Sequence, residues 1–166
     1  MKNKIIILRG NCACGKSTTA LALRERLGRG AFLIPQDTVR RDMLWVKDVP
    51  NNPTVELLTK MVEFGNQNCE YTILDGILYS DIYDSLFHRI CELYKDRIFA
   101  YYLVAPFDLT VKRQKQRPIH NAFGETEMKR WWRENDLLKV IKEKVINTET
   151  VDTETIVKII LKDIVD

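Results

Sequence analysis

The eight residues from Gly10 to Ser17 read Gly-Asn-Cys-Ala-Cys-Gly-Lys-Ser and match the phosphate-binding loop (Walker A) pattern G-x-x-x-x-G-K-S/T. Its glycines permit backbone conformations and close approaches that a Cβ atom would obstruct, so the loop amides can face an anion. Lys16 supplies a positive charge to β- and γ-phosphates, and the Ser17 hydroxyl can ligate Mg²⁺. A glycine turn with a solvated lysine is the alternative interpretation. The motif favours a nucleoside triphosphate site made of Gly10, Asn11, Cys12, Ala13, Cys14, Gly15, Lys16, Ser17 and Thr18.

Two aspartates follow predicted strands and can supply further chemistry. Asp37 comes after the strand 31–35, where it can orient and deprotonate an attacking hydroxyl or simply cap the following helix. Asp75 follows the strand 71–74, as in Walker B segments, and can hold a Mg²⁺-bound water or contact the substrate. Its alternative is a turn aspartate, since Asp-Gly is a common turn dipeptide.

The elements that must position these groups alternate along the chain. Apolar runs predict strands at 4–8, 31–35, 71–74, 98–104 and 144–147. Apolar spacing and stop signals predict helices at 16–27, 38–45, 54–66, 83–94, 109–115, 125–138 and 153–164. This order favours an open, doubly wound α/β fold, with a five-stranded parallel sheet and helices on both faces, as a single domain over residues 1–166. Ligands of such sheets bind at the carboxyl ends of the strands.

From Ile5 to the region near Gly124, the chain resembles the small P-loop kinases that include zeta toxin, chloramphenicol phosphotransferase and the kinase half of phage polynucleotide kinase. The resemblance rests on the phosphate loop and on the Asp37-x-x-Arg40 spacing after the second strand. It implies that Asp37 accepts the proton of a substrate hydroxyl and that Arg40 contacts the substrate or its phosphate. It also implies a lid at about 112–127, from which arginines reach over the transferred phosphoryl group.

Arg113 and Arg117 are the lid arginines that this resemblance singles out as catalytic. They are four residues apart, so a helix places them on one face, and guanidinium groups suit the spread charge of a phosphoryl group. A solvated basic helix is the alternative, because charge runs usually form one. Arg117 is favoured, since Pro118 ends the helix where a lid hinge would lie.

Composition limits the function classes. The 166 residues are 45% hydrophobic and 30% charged with a net charge of +3, and no run is apolar enough for a membrane span, so we expect a cytoplasmic protein without a membrane partner. The Asn-Lys-x-Asp motif of GTPases is missing from the sequence. We therefore expect an ATP- and Mg²⁺-dependent kinase that phosphorylates a hydroxyl group. A polynucleotide 5′-hydroxyl kinase, and an ATPase or nucleotide switch without an acceptor, are the alternatives.

The acceptor is expected to be a small hydroxylated molecule, because acids interrupt most basic clusters and a nucleic-acid kinase needs a basic groove. The apolar residues Leu57, Leu58 and Met61 on the helix 54–63 can wall its pocket, with core packing as the alternative. Residues 148–152 can form the adenine-side loop.

Two further groups of residues have competing interpretations. For Trp45, Trp131 and Trp132, core or lid packing is favoured over base stacking. Cys12 and Cys14 are interpreted as small, inert loop residues. The alternative is that the loop amides and Lys16 favour their thiolates, so that oxidation or alkylation blocks ATP binding.

Overall fold

The computed structural model describes residues 3–118 and 123–165. Its strands form one parallel sheet in the order β2-β3-β1-β4-β5, with helices on both faces, which confirms the predicted fold class. The strands are β1 (Lys4–Arg9), β2 (Phe32–Pro35), β3 (Tyr71–Asp75), β4 (Ile98–Val104) and β5 (Glu143–Asn147). The helices are α1 (Lys16–Leu27), α2 (Thr54–Asn68), α3 (Asp84–Tyr94), α4 (Phe107–Lys115), α5 (Glu125–Trp131) and α6 (Thr153–Val165), and a π-helical segment spans Thr38–Met43.

The central strand β1 is buried on both of its faces. Ile5 and Ile7 belong to a core cluster that includes residues of α2 and α3, whereas Ile6 and Leu8 belong to a second cluster with residues of α1 and α6. Successive side chains of a strand point in opposite directions, so a strand covered by helices on both sides needs an uninterrupted apolar run. The two cores hold rigid the strand that leads into the phosphate loop.

Helix α2 packs into the first of these cores. Leu58 is fully buried, and Leu57 and Met61 pack against the same cluster. None of the three lines the cavities described below, so core packing, and not a substrate wall, is the interpretation that the structure supports. At 15 residues, α2 is also well short of the roughly 20 that a membrane-spanning helix needs. Within residues 3–118 and 123–165, no helix combines the length and apolar character needed to cross a membrane.

The helix predicted at 38–45 is a π-helical segment that ends at Met43. The amide of Leu44 donates to the carbonyl of Val39, five residues earlier, at 3.1 Å. Trp45 follows with a positive φ of 52° and is 91% exposed, so packing is the wrong interpretation for this tryptophan. The chain then turns inward until the Asp48 carboxylate accepts a 2.6 Å hydrogen bond from Tyr83. The π-helical segment is a local departure from α-helical geometry of a kind that is common at functional sites.

The helix predicted at 125–138 ends early, at Trp131. Beyond it, Trp132 is extended and Asn135 has a positive φ of 51°. The carboxylate of Asp136 accepts hydrogen bonds from Arg9 at 2.9 Å and from the Ser80 hydroxyl at 2.6 Å. These tertiary bonds outweigh the local helix propensity that the prediction used. The predicted lid, 112–127, includes residues 119–122, which lie outside the described residues.

Candidate active site

The phosphate loop joins β1 to α1 at the carboxyl edge of the sheet. Gly10 has a φ of 139°, and a Cβ atom there would lie 2.1 Å from the carbonyl oxygen of Leu103 on β4, so only glycine fits. Gly15, with a φ of 87°, makes the turn into α1. The ammonium of Lys16 donates to the carbonyl of Asn11 at 2.7 Å. The backbone is thus held in a conformation that offers its amides and the α1 N-terminus to an anion.

A cavity of about 290 Å³ lies between this loop and the ends of β2 and β3, and we call it the central cavity. Five predicted site residues with charged or hydroxyl side chains line it together, although they come from distant parts of the sequence. The parallel topology explains their convergence, because it brings the carboxyl ends of all strands to one edge. The five residues are Lys16, Ser17, Asp37, Asp75 and Arg117.

Asp75 has the properties of a ligand to a cation or to its bound water. The residue is only 3% exposed, and its Oδ1 atom has no hydrogen-bond partner among residues 3–118 and 123–165. Burial raises the pKa of this carboxyl, while the Lys16 charge and the Ser17 hydroxyl oppose the rise. A buried, unpartnered carboxylate oxygen is costly, and Mg²⁺ prefers oxygen ligands. The donor set of Asp75 and Ser17 therefore fits Mg²⁺.

Asp37 lines the central cavity and also a neighbouring cavity that is described below. Its side chain is 59% exposed and makes no capping hydrogen bond to the segment that follows, so helix capping is not its role. The carboxylate instead accepts a 3.1 Å hydrogen bond from the Arg40 guanidinium. Arg40 is itself fixed, because it also donates to the carbonyl of Val46 at 3.1 Å and lies 3.9 Å from the Asp48 carboxylate. The Asp37-x-x-Arg40 pair is thus a single structural unit.

A larger cavity, of about 580 Å³, adjoins the central one on the other side of the loop; we call it the large cavity. The loop after β5, the N-terminal end of α6 and Thr18 on α1 line it. The Arg113 guanidinium donates to Oγ1 and to the carbonyl of Thr148, at 2.9 and 2.7 Å. In place of the predicted reach over a phosphoryl group, Arg113 therefore ties the 148–152 loop to α4.

Arg117 differs from Arg113 in position. It lines both the large and the central cavities and is exposed, whereas Arg113 lines the large cavity alone. Burial raises the pKa of Asp75 and of Cys12, and the charge of Arg117 partly opposes both rises. Of the two predicted lid arginines, only Arg117 is placed beside the central cavity.

A third cavity, the side cavity, has a volume of about 410 Å³ and shares Asp37 and Cys12 with the central cavity. Its walls are the π-helical segment, the chain after β3 and helix α5. Trp131 and Arg130 of α5 line it; Trp131 also packs against Phe123, in agreement with its predicted packing role, whereas Arg130 had no assigned role. The available signal was the Arg-Trp-Trp-Arg run at 130–133, which is equally typical of a packed helix end.

Burial disfavours the thiolate form of both cysteines in the loop. Burial raises the pKa of both Cys12 and Cys14, and the opposing charge of Lys16 is the smaller effect. Cys14 is also 1% exposed within the second core cluster. The hypothesis that the loop activates these thiols is therefore wrong, and a buried side chain explains Cys14 better.

Arg9, which directly precedes the phosphate loop, connects several elements through hydrogen bonds. This role was not predicted from the sequence. The side chain is fully buried, and its Nε donates to the carbonyl of Leu78 at 3.0 Å. Its two terminal nitrogens donate to Glu143 and Asp136, each at 2.9 Å. One guanidinium thus joins β1 to the chain after β3, to β5 and to the segment after α5. The only sequence signal is a charge that directly follows the apolar run of β1.

The three cavities form a connected series. The large and central cavities share Ala13, Gly15 and Arg117, and the central and side cavities share Cys12 and Asp37. The phosphate loop lies at the junction of all three. Such a series can hold one ligand on each side of the loop, with a lysine, a hydroxyl and two carboxylates between them.

Comparisons place this fold among known kinases. Neither a protein-family model nor a curated protein matches the sequence. Among solved structures, a predicted kinase from Chloroflexus aurantiacus is similar with a TM-score of 0.73 and 18% identity, covering 98% of this chain and 96% of that one. A gluconokinase from Sinorhizobium meliloti gives 0.68 and 13%, with 99% and 93% covered. The APS kinase from Mycobacterium tuberculosis, solved with AMPPNP and APS, gives 0.68 and 12%, with 99% of both chains covered. The chain therefore has the fold of the P-loop kinases.

Proposed function

We propose that this protein is an ATP-dependent kinase that transfers the γ-phosphoryl group of Mg-ATP to a hydroxyl group of a small molecule. The observation that carries the proposal is the position of Asp37, which lines two cavities and shares the central one with Lys16 and Ser17. A kinase needs two ligand sites that meet at a phosphate loop, with a carboxylate on the acceptor side. This arrangement meets that need.

The nucleotide side is assigned from the loop outward. The triphosphate lies against the loop amides and Lys16, and the rest of the nucleotide extends into the large cavity toward the 148–152 loop. Arg113 holds that loop in place, and so it acts as a positioning residue. Ser17 and Asp75 would hold Mg²⁺, which when bound neutralises phosphate charge. Arg117, beside both cavities, offers a guanidinium to the transferred group.

On the acceptor side, Asp37 is the general base. Its carboxylate accepts the proton of the attacking hydroxyl as the oxygen forms its bond to the γ-phosphorus, and the bond from that phosphorus to the ADP oxygen breaks. Arg40 keeps the carboxylate turned toward the junction through its 3.1 Å hydrogen bond. The base is thus oriented before the acceptor arrives.

The enclosed volume of the side cavity supports a small acceptor. A space of about 410 Å³ lies within the 300–1,000 Å³ of ordinary small-molecule sites. The gluconokinase and the APS kinase with this fold carry the names of small-molecule acceptors. Membership of the narrower group that resembles zeta toxin and chloramphenicol phosphotransferase stays a prediction from the Asp37-x-x-Arg40 spacing.

Transfer of label from γ-³²P-labelled ATP tests the proposal. The protein is incubated with Mg-ATP and sets of sugar acids, nucleosides, nucleotides, aromatic alcohols and oligonucleotides with free 5′-hydroxyls. We expect label on at least one small alcohol and none with Lys16→Ala. Label on oligonucleotide ends alone would favour the polynucleotide kinase instead. Acceptor-free release of phosphate at a rate that no added compound changes would favour an ATPase or switch.

A further inference from the structure

The side cavity has an excess of positive charge. Four basic side chains line it, against the two carboxylates of Asp37 and Asp48. Both carboxylates are ion-paired with one of the four, Arg40. The other three bases have no ion pair with any carboxylate in the part of the chain that the structure describes. They are Arg41, Lys47 and Arg130.

These three bases come from separate elements that converge on one cavity. Arg41 lies in the π-helical segment, Lys47 in the turn after it, and Arg130 on α5. None of them lines the central or the large cavity, so they are not placed to bind the nucleotide phosphates. Their charge is therefore available to the acceptor.

An aromatic wall stands beside this charge. The rings of Phe123 and Trp131 pack edge to face, with centroids 4.9 Å apart and an interplanar angle of 66°. The Arg41 guanidinium lies 5.8 Å from the Phe123 centroid, so charge and ring share one face of the cavity. The Tyr79 hydroxyl donates to the carbonyl of Trp131 at 2.9 Å and fixes the end of α5. The wall is thus formed before a ligand binds.

We propose that the acceptor is an anion with a flat ring: a hydroxylated carboxylate or phosphate ester, held by Arg41, Lys47 and Arg130 with its ring against Phe123 and Trp131. This inference rests on the proposed function. Guanidinium groups bind planar carboxylates and phosphates through paired hydrogen bonds, and aromatic side chains favour flat apolar faces. A neutral polyol would gain no charge-charge attraction from the three exposed bases, and a cationic acceptor would be repelled by them.

The geometry also gives the acceptor an orientation. Asp37 lies at the junction with the central cavity, whereas the three bases line the side cavity alone. An acceptor bound by its anion therefore presents its hydroxyl toward Asp37 from the opposite end. The anion itself stays away from the triphosphate, which limits repulsion between the two substrates.

Matched pairs of acceptors test the inference. 4-(Hydroxymethyl)benzoate is compared with its neutral amide, and nucleoside 5′-monophosphates are compared with the nucleosides. We expect each anion to be phosphorylated with a KM at least tenfold lower than that of its neutral partner. The two anions distinguish carboxylate from phosphate recognition. Equal or better transfer to the neutral partners would overturn the inference while leaving the proposed function intact.

Variants of the bases give a second readout. Arg130→Gln and Arg41→Gln are each expected to raise the KM of the anionic acceptor about tenfold or more, since a charge-assisted hydrogen bond is lost. The KM of a neutral acceptor and of Mg-ATP should stay unchanged. Lys129→Gln is the matched control, because it removes a charge from an exposed position on the same helix that does not line the cavity. Equal effects of Arg130→Gln and Lys129→Gln would contradict a local anion site.

Binding separates this inference from the proposed function. The anionic probes are titrated calorimetrically into the protein saturated with Mg-AMPPNP, where no transfer is possible. Binding that Arg130→Gln weakens, without transfer from ATP to any compound, would support the anion site and overturn the kinase assignment. No binding of either anion would overturn the anion site.

Discussion

Asn11 and Arg133 hold each other through two hydrogen bonds that join the phosphate loop to the segment after α5. The Asn11 amide donates to the carbonyl of Arg133 at 2.8 Å, and the amide of Arg133 donates to Oδ1 of Asn11 at 3.1 Å. The Arg133 guanidinium in turn binds Asp81 at 2.6 Å and lies 4.0 Å from the ring centroid of Tyr79. These contacts therefore connect the phosphate loop to Tyr79, which lines the side cavity.

Asn11→Asp is expected to break this link. The carboxylate cannot donate to the carbonyl of Arg133, and it places a charge against that oxygen in a largely buried site. We expect a loss of about 1–3 kcal/mol in the free energy of unfolding, together with weaker Mg-ATP binding. Denaturant unfolding and calorimetry measure the two effects. Gln67→Glu, which adds the same charge at an exposed position on α2, is the control. Unchanged stability and Mg-ATP affinity in Asn11→Asp would show that the hydrogen bonds between Asn11 and Arg133 contribute to neither.

Gly10 and Gly15 are expected to respond differently to alanine. In Gly10→Ala the new methyl group meets the β4 backbone at 2.1 Å, whereas in Gly15→Ala it meets nothing within 4 Å. Gly15→Ala therefore adds only the strain of its positive φ, about 1–2 kcal/mol. Gly10→Ala adds a steric overlap that β4 cannot relieve without moving. Thermal unfolding should show the larger loss for Gly10→Ala, and equal losses would contradict the described contact.

Arg113 and Arg117 are expected to affect different kinetic constants. Arg113→Lys loses the paired hydrogen bonds to Thr148, so the KM of Mg-ATP should rise about tenfold, which corresponds to about 1.4 kcal/mol, with kcat nearly unchanged. Arg117→Lys should lower kcat instead, because an ammonium replaces a guanidinium near the transferred group. Lys115→Ala is the control, because Lys115 is exposed at the end of α4 and lies outside both cavities. A similar fall of kcat in both arginine variants would restore the catalytic assignment of Arg113.

Asp48 makes the stability of the fold depend on pH. Burial raises the pKa of this carboxyl above its ordinary 3.8, despite the hydrogen bond from Tyr83 and the charge of Arg40; the charge of Asp37 adds to the rise. The folded protein thus holds the proton more tightly than the unfolded chain, and the contribution of Asp48 to stability falls as the pH rises above 3.8. Asp48→Asn cannot titrate.

Asp48→Asn should therefore gain stability relative to the parent protein as the pH rises above 3.8. Denaturant unfolding at several pH values measures the difference. Asp42→Asn, an exposed change in the π-helical segment, is the control and should show no such trend. Parallel stability curves for Asp48→Asn and the parent would contradict the burial effect.

The sequence was enough to predict the sheet and the phosphate loop, because both depend on local patterns. The short apolar run of β1 is typical of a strand covered on both faces, and two glycines with Lys16 and Ser17 match the phosphate-loop pattern. The early end of α5 could not be predicted from the sequence, because it depends on the hydrogen bonds that Asp136 accepts from Arg9 and Ser80.

The acceptor side was predicted less well for a similar reason. Asp37 and Arg40 could be found from their spacing, but the pairing of Asp37 with Arg40, while Arg41 lies over the Phe123 ring, is a matter of three-dimensional arrangement. The partner of Arg113, Thr148, lies on a loop after another strand, and no spacing rule connects the two. Residues whose partners are distant in sequence are those for which the predicted role changed.

The most direct test of the account is the effect of Asp37→Asn on phosphoryl transfer and on nucleotide binding, measured in the same preparation. Transfer from Mg-ATP to the best acceptor of the labelled-phosphate screen should fall by about 10²–10⁴-fold, because asparagine keeps the shape of the side chain but cannot accept the proton. The calorimetric Kd of Mg-ATP should stay the same, and Asp42→Asn should transfer as the parent does. A fall in transfer of less than about tenfold, or a loss of transfer that only reflects weaker Mg-ATP binding, would contradict Asp37 as the base.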